Sequence, residues 1–164
     1  MITTDKFGFP FEVKEYSSND FQHLLDMYEI FSPKAKYQGM PPGDREGRRK
    51  WIQHLTDSGQ TFLAWREGTV IGHVVLLPDF DKLDAEYLIF VVQSDREKGV
   101  GSELTREAIT WAERHGIEVV WLTVDTYNFR AIHVYRKFGF SFPEPFDRAP
   151  ERLMILHLGA NRAV

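Results

Sequence analysis

Arg96, Lys98, Gly99, Val100, Gly101 and Ser102 stand together where an apolar run ends and a helical pattern begins. Residue types in this order hold anions. Residues 86–92 read as a strand, 96–101 as a turn, and 100–115 as an amphipathic helix. The first N–H groups of a helix have no partner within it, and the helix dipole adds partial positive charge there. Those of Val100, Gly101 and Ser102 are the expected donors. Gly99 and Gly101 lack a Cβ, so a bulky pyrophosphate can approach the main chain. Arg96 and Lys98 add mobile positive charge. One glycine is enough for a plain tight turn. Two, with flanking Arg and Lys, favour a seat for a diphosphate-bearing cofactor.

Three phosphate-binding patterns compete for this stretch. A nucleotide P-loop needs Lys-Ser or Lys-Thr after its second glycine, and none is present. The dinucleotide pattern G-x-G-x-x-G fits Gly99 and Gly101, but Leu104 stands where a third small residue belongs. Asp125 would suit a ribose, yet this reading needs further parallel βα units, and the chain has none to spare after residue 138. The third pattern, R-x-x-G-x-G, is filled without a gap by Arg96, Gly99 and Gly101. A second pattern, N-x-x-A-x-x-x-Y-x-x-x-G-F, is filled by Asn128, Ala131, Tyr135, Gly139 and Phe140. With both motifs, residues 11–158 resemble the GCN5-related N-acetyltransferase superfamily.

The resemblance implies an α/β fold over a single domain, residues 1–164. Its sheet would be mixed and mostly antiparallel, with about seven strands, splayed at its centre and flanked by about four helices. It implies acetyl-CoA as cosubstrate, held by Arg96, Lys98, Gly99, Val100, Gly101, Ser102, Asn128, Tyr135 and the main chain of Val91. The implied reaction is direct attack of a primary amine in a ternary complex, without an acyl-enzyme. Tyr135 would act on the departing sulfur, and the Val91 N–H could polarise the thioester carbonyl. Glu86 lies ten residues before Arg96, and Asp84-Ala85-Glu86-Tyr87 resembles the catalytic domain of bacterial Pat-type protein-lysine acetyltransferases. That subgroup implies Glu86 as the base. Arg96 replaces its usual Gln, and no cyclic-nucleotide-binding or synthetase-like segment accompanies it, so protein substrates are not implied.

Each residue also has a plainer reading. Glu86 can be a solvated strand end, Tyr135 a core aromatic, and Asn128 only a helix N-cap. The domain can also be an acyl-CoA sensor without turnover, or a dinucleotide-binding protein. The six His have no paired helical spacing and there is no Cys, so no metal is expected. His73 could line the acceptor site or be a satisfied core histidine. Arg45, Arg48 and Arg49 share a helical face, which could recognise an acidic acceptor or simply be solvated.

Several elements must position these residues. Residues 11–16, 60–66, 70–77, 86–92, 118–124, a short segment near 140, and 153–158 read as strands. Helices are expected after Ser17–Asn19, over 44–57, over 100–115 and over 128–138. The strand at 118–124 lacks polar alternation and is expected to be buried on both faces. Residues 28–45 and 141–152 would wall the acceptor, a small molecule or a protein.

The chain has 164 residues, 43% of them apolar, and can bury roughly two-thirds of its unfolded surface. A net charge of −4 argues against a non-specific nucleic-acid binder. No membrane-length apolar run or signal-peptide pattern is evident. The absence of Cys fits a reducing, cytoplasmic setting and excludes a thiol nucleophile. A homodimer remains open.

Overall fold

The computed structural model describes residues 2–32, 41–143, 145 and 149–159. Apolar periodicity sets the helices. In α1 (Phe21–Ile30), Leu24, Met27 and Tyr28 form the buried stripe. A one-turn 3-10 segment, Ser18–Asp20, leads into it, and the Asp20 carboxylate accepts the Ser17 N–H at 3.0 Å. In α2 (Arg45–Ser58), Asp44 caps the first turn by accepting the Gly47 N–H at 2.7 Å. Its inward stripe is Arg48, Ile52 and Leu55. The apolar face looked thin in the sequence because an arginine fills one of its positions. The other two helices are α3 (Val100–Arg114) and α4 (Phe129–Lys137).

Seven strands form one open, splayed, mostly antiparallel sheet, ordered as in the chain. They are β1 (Ile2–Thr4), β2 (Pro10–Glu15), β3 (Gln60–Arg66), β4 (Thr69–Asp79), β5 (Asp84–Val91), β6 (Val119–Asp125) and β7 (Glu151–His157). The chain groups into two compact units. One is Met1–Leu77 with Leu88–Ala108, and the other is Pro78–Tyr87 with Ile109–Val164.

The first unit holds the antiparallel run β1–β2–β3–β4. Its core gathers Tyr28, Phe31, Trp51, His73 and Phe90 into ring contacts at 5.3–6.3 Å. In the second unit, β5 pairs parallel to β6 from Asp84↔Val119 to Glu86↔Trp121. There β6 pairs antiparallel to β7 along its whole length. Tyr87, Val120, Leu122, Val124, Ile132, Phe140, Met154 and Leu156 form the core of this unit.

Three expectations need correction. The edge strand β1 was not foreseen, because three residues are too short for a periodicity signal. The strand expected near 140 is a single bridge, Ser141↔Ile155. In β6, Val120, Leu122 and Val124 are buried while Thr123 is exposed, so the strand has one dry face rather than two. Its apolar Val119 and Trp121 sit on the half-covered face, which is why the sequence showed no alternation. Among the described pairings only β5–β6 is parallel, which does not supply the doubly wound sheet that a dinucleotide fold requires.

Candidate active site

After Val91 the chain makes one 3-10 turn, Gln93–Asp95, and then a tight turn into α3. Gly99 has φ of 99°, a conformation that side chains other than glycine's rarely adopt. This glycine is therefore demanded by the turn itself. The helix that follows is anchored by Val100, Leu104, Ala108 and Ala112, all buried. Val100 thus offers a ligand only its main chain.

The start of α3 carries no side-chain cap, since the residue before it is a glycine. The Glu103 N–H turns back to the Gly99 carbonyl at 3.2 Å, which leaves the N–H groups of 100–102 as the open donors of the first turn. A Cβ placed on Gly101 would meet only Ile89 Cδ1 at 3.6 Å and Val91 Cγ2 at 3.8 Å, ordinary contacts. Internal packing therefore does not demand this glycine, although glycine inside a helix costs about 1 kcal/mol relative to alanine. A pyrophosphate resting on the main chain does demand it, so the turn fits the group that the sequence implied.

Arg96 differs from expectation. Its Nε donates to the Val91 carbonyl at 2.9 Å, and its terminal nitrogen donates to the Ser32 carbonyl. The guanidinium also lies 5.2 Å from the centre of the Phe31 ring. Burial lowers its pKa from the ordinary arginine value. Arg96 is thus a strut across main-chain segments rather than a mobile charge, and the Val91 carbonyl is already taken. Lys98 lies 4.0 Å from Asp95. Asp95 also accepts a bond from Arg66 at 3.1 Å, and Arg66 reaches Asp5 at 2.9 Å. No local pattern marks this chain of charges, whose outermost members, Asp5 and Lys98, lie 93 positions apart.

The second unit carries the other candidates. Successive residues of a strand point to opposite faces. Glu86 and Tyr87 therefore diverge, and Tyr87 packs edge-on to Tyr135 with ring centres 6.0 Å apart. Phe140 closes on both rings. Glu86 and Tyr135 thus belong to opposite faces of β5. No hydrogen bond or ion pair engages the Glu86 carboxylate or the Tyr135 hydroxyl among the described residues. Burial raises the pKa of Glu86 from its ordinary value. It pushes that of Tyr135 up to about 12. Asn128 caps α4 by accepting the Ala131 N–H at 3.3 Å. Ser102 is half-buried in the first turn of α3.

His73 is wholly buried, with the Tyr28 hydroxyl 2.7 Å from its Nδ1 and no partner for Nε2. Burial lowers its pKa to about 3. Of the three arginines of α2, Arg45 and Arg49 line a cavity of about 330 Å³ with Gln22, Leu25, Asp26 and Glu29, while Arg48 turns inward. Arg48 is buried and donates to the Gly43 carbonyl at 2.6 Å and to Glu29 at 3.2 Å. Arg45 also pairs with Glu29, and Arg49 lies over Phe21. The expected acceptor walls include residues 33–40, 144 and 146–148, which lie outside the described residues. Among the described residues no cluster of His, Asp and Glu could hold a metal, and no helix is long and apolar enough to cross a membrane.

Comparison with known proteins agrees with this architecture. A streptothricin acetyltransferase of Streptomyces lavendulae is 43% identical over 54 residues, 33% of this chain and 29% of that protein. The chain spans 29% to 62% of the length of the curated relatives it matches. The GNAT domain of S. lividans PAT superposes with a TM-score of 0.77 at 18% identity, covering 96% of each chain. The yncA protein of Salmonella typhimurium, solved with its cofactor acetyl-CoA, superposes with a TM-score of 0.70 at 18% identity, covering 92% of this chain and 95% of that one. At these identities the structures speak for the fold. The profile of the acetyltransferase (GNAT) family matches residues 24–140, and the chain belongs to that family.

Proposed function

We propose that this chain is one acyltransferase domain that moves the acetyl group of acetyl-CoA to a primary amine by direct attack. The observation that carries the reading is the pair Glu86 and Tyr135, on opposite faces of one strand and neither hydrogen-bonded among the described residues. Acyl transfer calls for a base beside the amine and a hydrogen-bond donor beside the departing sulfur, and a carboxylate and a phenol are groups of those kinds.

In the proposed step the amine nitrogen bonds to the carbonyl carbon and the C–S bond breaks. An amine near pKa ~10 must shed a proton, and Glu86 receives it, directly or through water. A carboxylate raised by burial suits that task better than an ordinary one. The Val91 N–H is the donor proposed for the carbonyl oxygen. Full proton transfer from Tyr135 is disfavoured. A phenol at about 12 facing a thiolate of reference pKa ~8.5 would lose about 5 kcal/mol. Tyr135 is therefore a hydrogen-bond donor to the developing thiolate, which takes its proton from water after release. The pyrophosphate is assigned to the open N–H groups of 100–102, with Gly99, Lys98 and Arg96 shaping the turn. Asn128 contributes at least as the cap of α4. Glu86 as base follows the Pat-type resemblance, and the streptothricin acetyltransferase likeness favours a small amine acceptor.

The test is stabilisation by the cosubstrate. Acetyl-CoA should raise the thermal midpoint by linkage, and Gly101→Glu should abolish that rise while the apo midpoint holds. Stabilisation by NAD and not by acetyl-CoA would overturn the family-based reading of the ligand. Release of CoA with a panel of amines then separates an enzyme from an acyl-CoA sensor.

A further inference from the structure

Residues 5–9 form the tip of the hairpin between β1 and β2. Phe7 and Phe9 are 69% and 62% exposed there, although the loop that carries them is firmly built. The buried Asp5 carboxylate accepts the Phe7 N–H at 2.8 Å and the Phe9 N–H at 3.0 Å. Gly8, with φ of 86°, turns the chain between the two rings. The tip is tied to the turn before α3 in two ways. The Lys6 N–H donates to the Lys98 carbonyl at 2.8 Å. Arg66 bridges Asp5 at 2.9 Å and Asp95 at 3.1 Å. The Lys98 ammonium lies 5.9 Å from the centre of the Phe7 ring.

An aromatic ring held so firmly, with so little of it covered, has no evident packing task. It has neighbours of a definite chemistry, with Lys6 and Lys98 beside it and the open donors of α3 directly along the chain. A flat heteroaromatic base can stack on such a ring, and adjacent cations suit the phosphate of its ribose.

We propose that this hairpin tip is the platform for the purine nucleotide end of the cosubstrate, with Phe7 under the base and Lys6 and Lys98 facing the ribose phosphate. The proposal rests on the acetyl-CoA reading. Arg66 is a positioning residue in it, because it fixes the tip relative to the turn through Asp5 and Asp95.

Calorimetric titration of the intact chain tests it with three ligands. They are acetyl-CoA, its 3′-dephospho form, and acetyl-phosphopantetheine, which lacks the nucleoside altogether. Phe7→Ala should weaken acetyl-CoA by about 10-fold, the scale of one lost base stack, and leave acetyl-phosphopantetheine unchanged. Lys6→Ala should weaken acetyl-CoA more than the dephospho form. Since Phe7 is exposed, an unchanged melting curve will show that its variant folds. Equal weakening of acetyl-CoA and acetyl-phosphopantetheine by Phe7→Ala would overturn the platform, since the ring would then act on the turn and not on the base. Unaltered affinity for acetyl-CoA would overturn it too, leaving the patch to another partner. If wild-type chain binds no acetyl-CoA at all, the acyltransferase reading fails first and takes this one with it.

Discussion

Tyr28 and Tyr135 are two phenols, one in each unit, the first fully buried and the second half-buried, and the chain treats their hydroxyls differently. The Tyr28 hydroxyl lies 2.7 Å from His73 Nδ1, inside a box of Phe31, Trp51 and Phe90. Burial raises its pKa well above the ordinary phenol value. The Tyr135 hydroxyl has no hydrogen-bond partner among the described residues, although its ring is packed by Tyr87 and Phe140. A fully buried hydroxyl is normally satisfied within the protein, as that of Tyr28 is, whereas a half-buried one can still meet water. The difference teaches that burial alone does not mark a reactive side chain. Tyr28 is withdrawn and satisfied, so it belongs to the core. Tyr135 and Glu86 are half-buried, and no hydrogen bond engages either side chain among the described residues.

The sharpest way to break this contrast is Glu86→Gln. Turnover near neutral pH should fall by ~10²-fold, with acetyl-CoA binding barely changed. Burial raises the pKa of the wild-type Glu86, so the acid limb of its pH–rate profile should lie higher than an exposed glutamate would set it. That limb should vanish in the variant, and an unchanged profile would remove Glu86 from the step.

The core phenol should respond in stability instead. Tyr28→Phe leaves His73 with both ring nitrogens buried and unpaired, and should cost about 1–3 kcal/mol in urea denaturation while turnover per folded molecule holds. His73 adds a pH signature. Its folded pKa is about 3, against ~6.5 in the unfolded chain. The unfolded state therefore binds the extra proton between those values. The stability from a neutral His73 is complete above pH ~6.5 and is lost as pH falls toward 3, by up to about 1.4 kcal/mol per unit. His73→Leu should flatten this part of the slope. A slope that persists would assign it to carboxylates.

Tyr135→Phe carries the smallest expected effect. Turnover should drop ~10-fold with KM for acetyl-CoA little altered, and stability should stay within about 0.5 kcal/mol. A thioester with a more acidic thiol should recover part of the loss. Normal turnover would make Tyr135 a second Tyr28, a core ring and no more.

Much of this was legible in the chain because local geometry writes itself into local sequence. Gly99 and Gly101 marked the turn, the stripe Val100–Leu104–Ala108 marked α3, and Asn128 marked the start of α4. Alternation along Glu86-Tyr87 already placed those two side chains on opposite faces. That Tyr135 joins the Tyr87 face was not legible, since it depends on how α4 packs 48 positions later. The commitment of Arg96 to the Val91 and Ser32 carbonyls was hidden for the same reason. So was the burial of Arg48, where an inward-facing arginine and a solvated one look alike until Gly43 and Glu29 are brought beside it. The edge strand β1 was missed because its pairing, Ile2↔Glu12 to Thr4↔Pro10, leaves no periodic trace in three residues.

The bridge of Arg66 between Asp5 and Asp95 also bears on local opening. A segment opens alone only if its exposed bonds are its own. Here the Lys6 amide is bonded to the Lys98 carbonyl, and the Asp5 amide to the Phe9 carbonyl at 2.8 Å. Freeing the turn before α3 therefore means releasing the hairpin tip as well. The amide protons of Asp5, Lys6 and Gly8 should exchange with solvent deuterium at rates set by that shared opening. A ligand seated on α3 would then slow the exchange of protons nearly a hundred positions earlier in the chain, making the N-terminal hairpin a built-in reporter of occupancy at the turn.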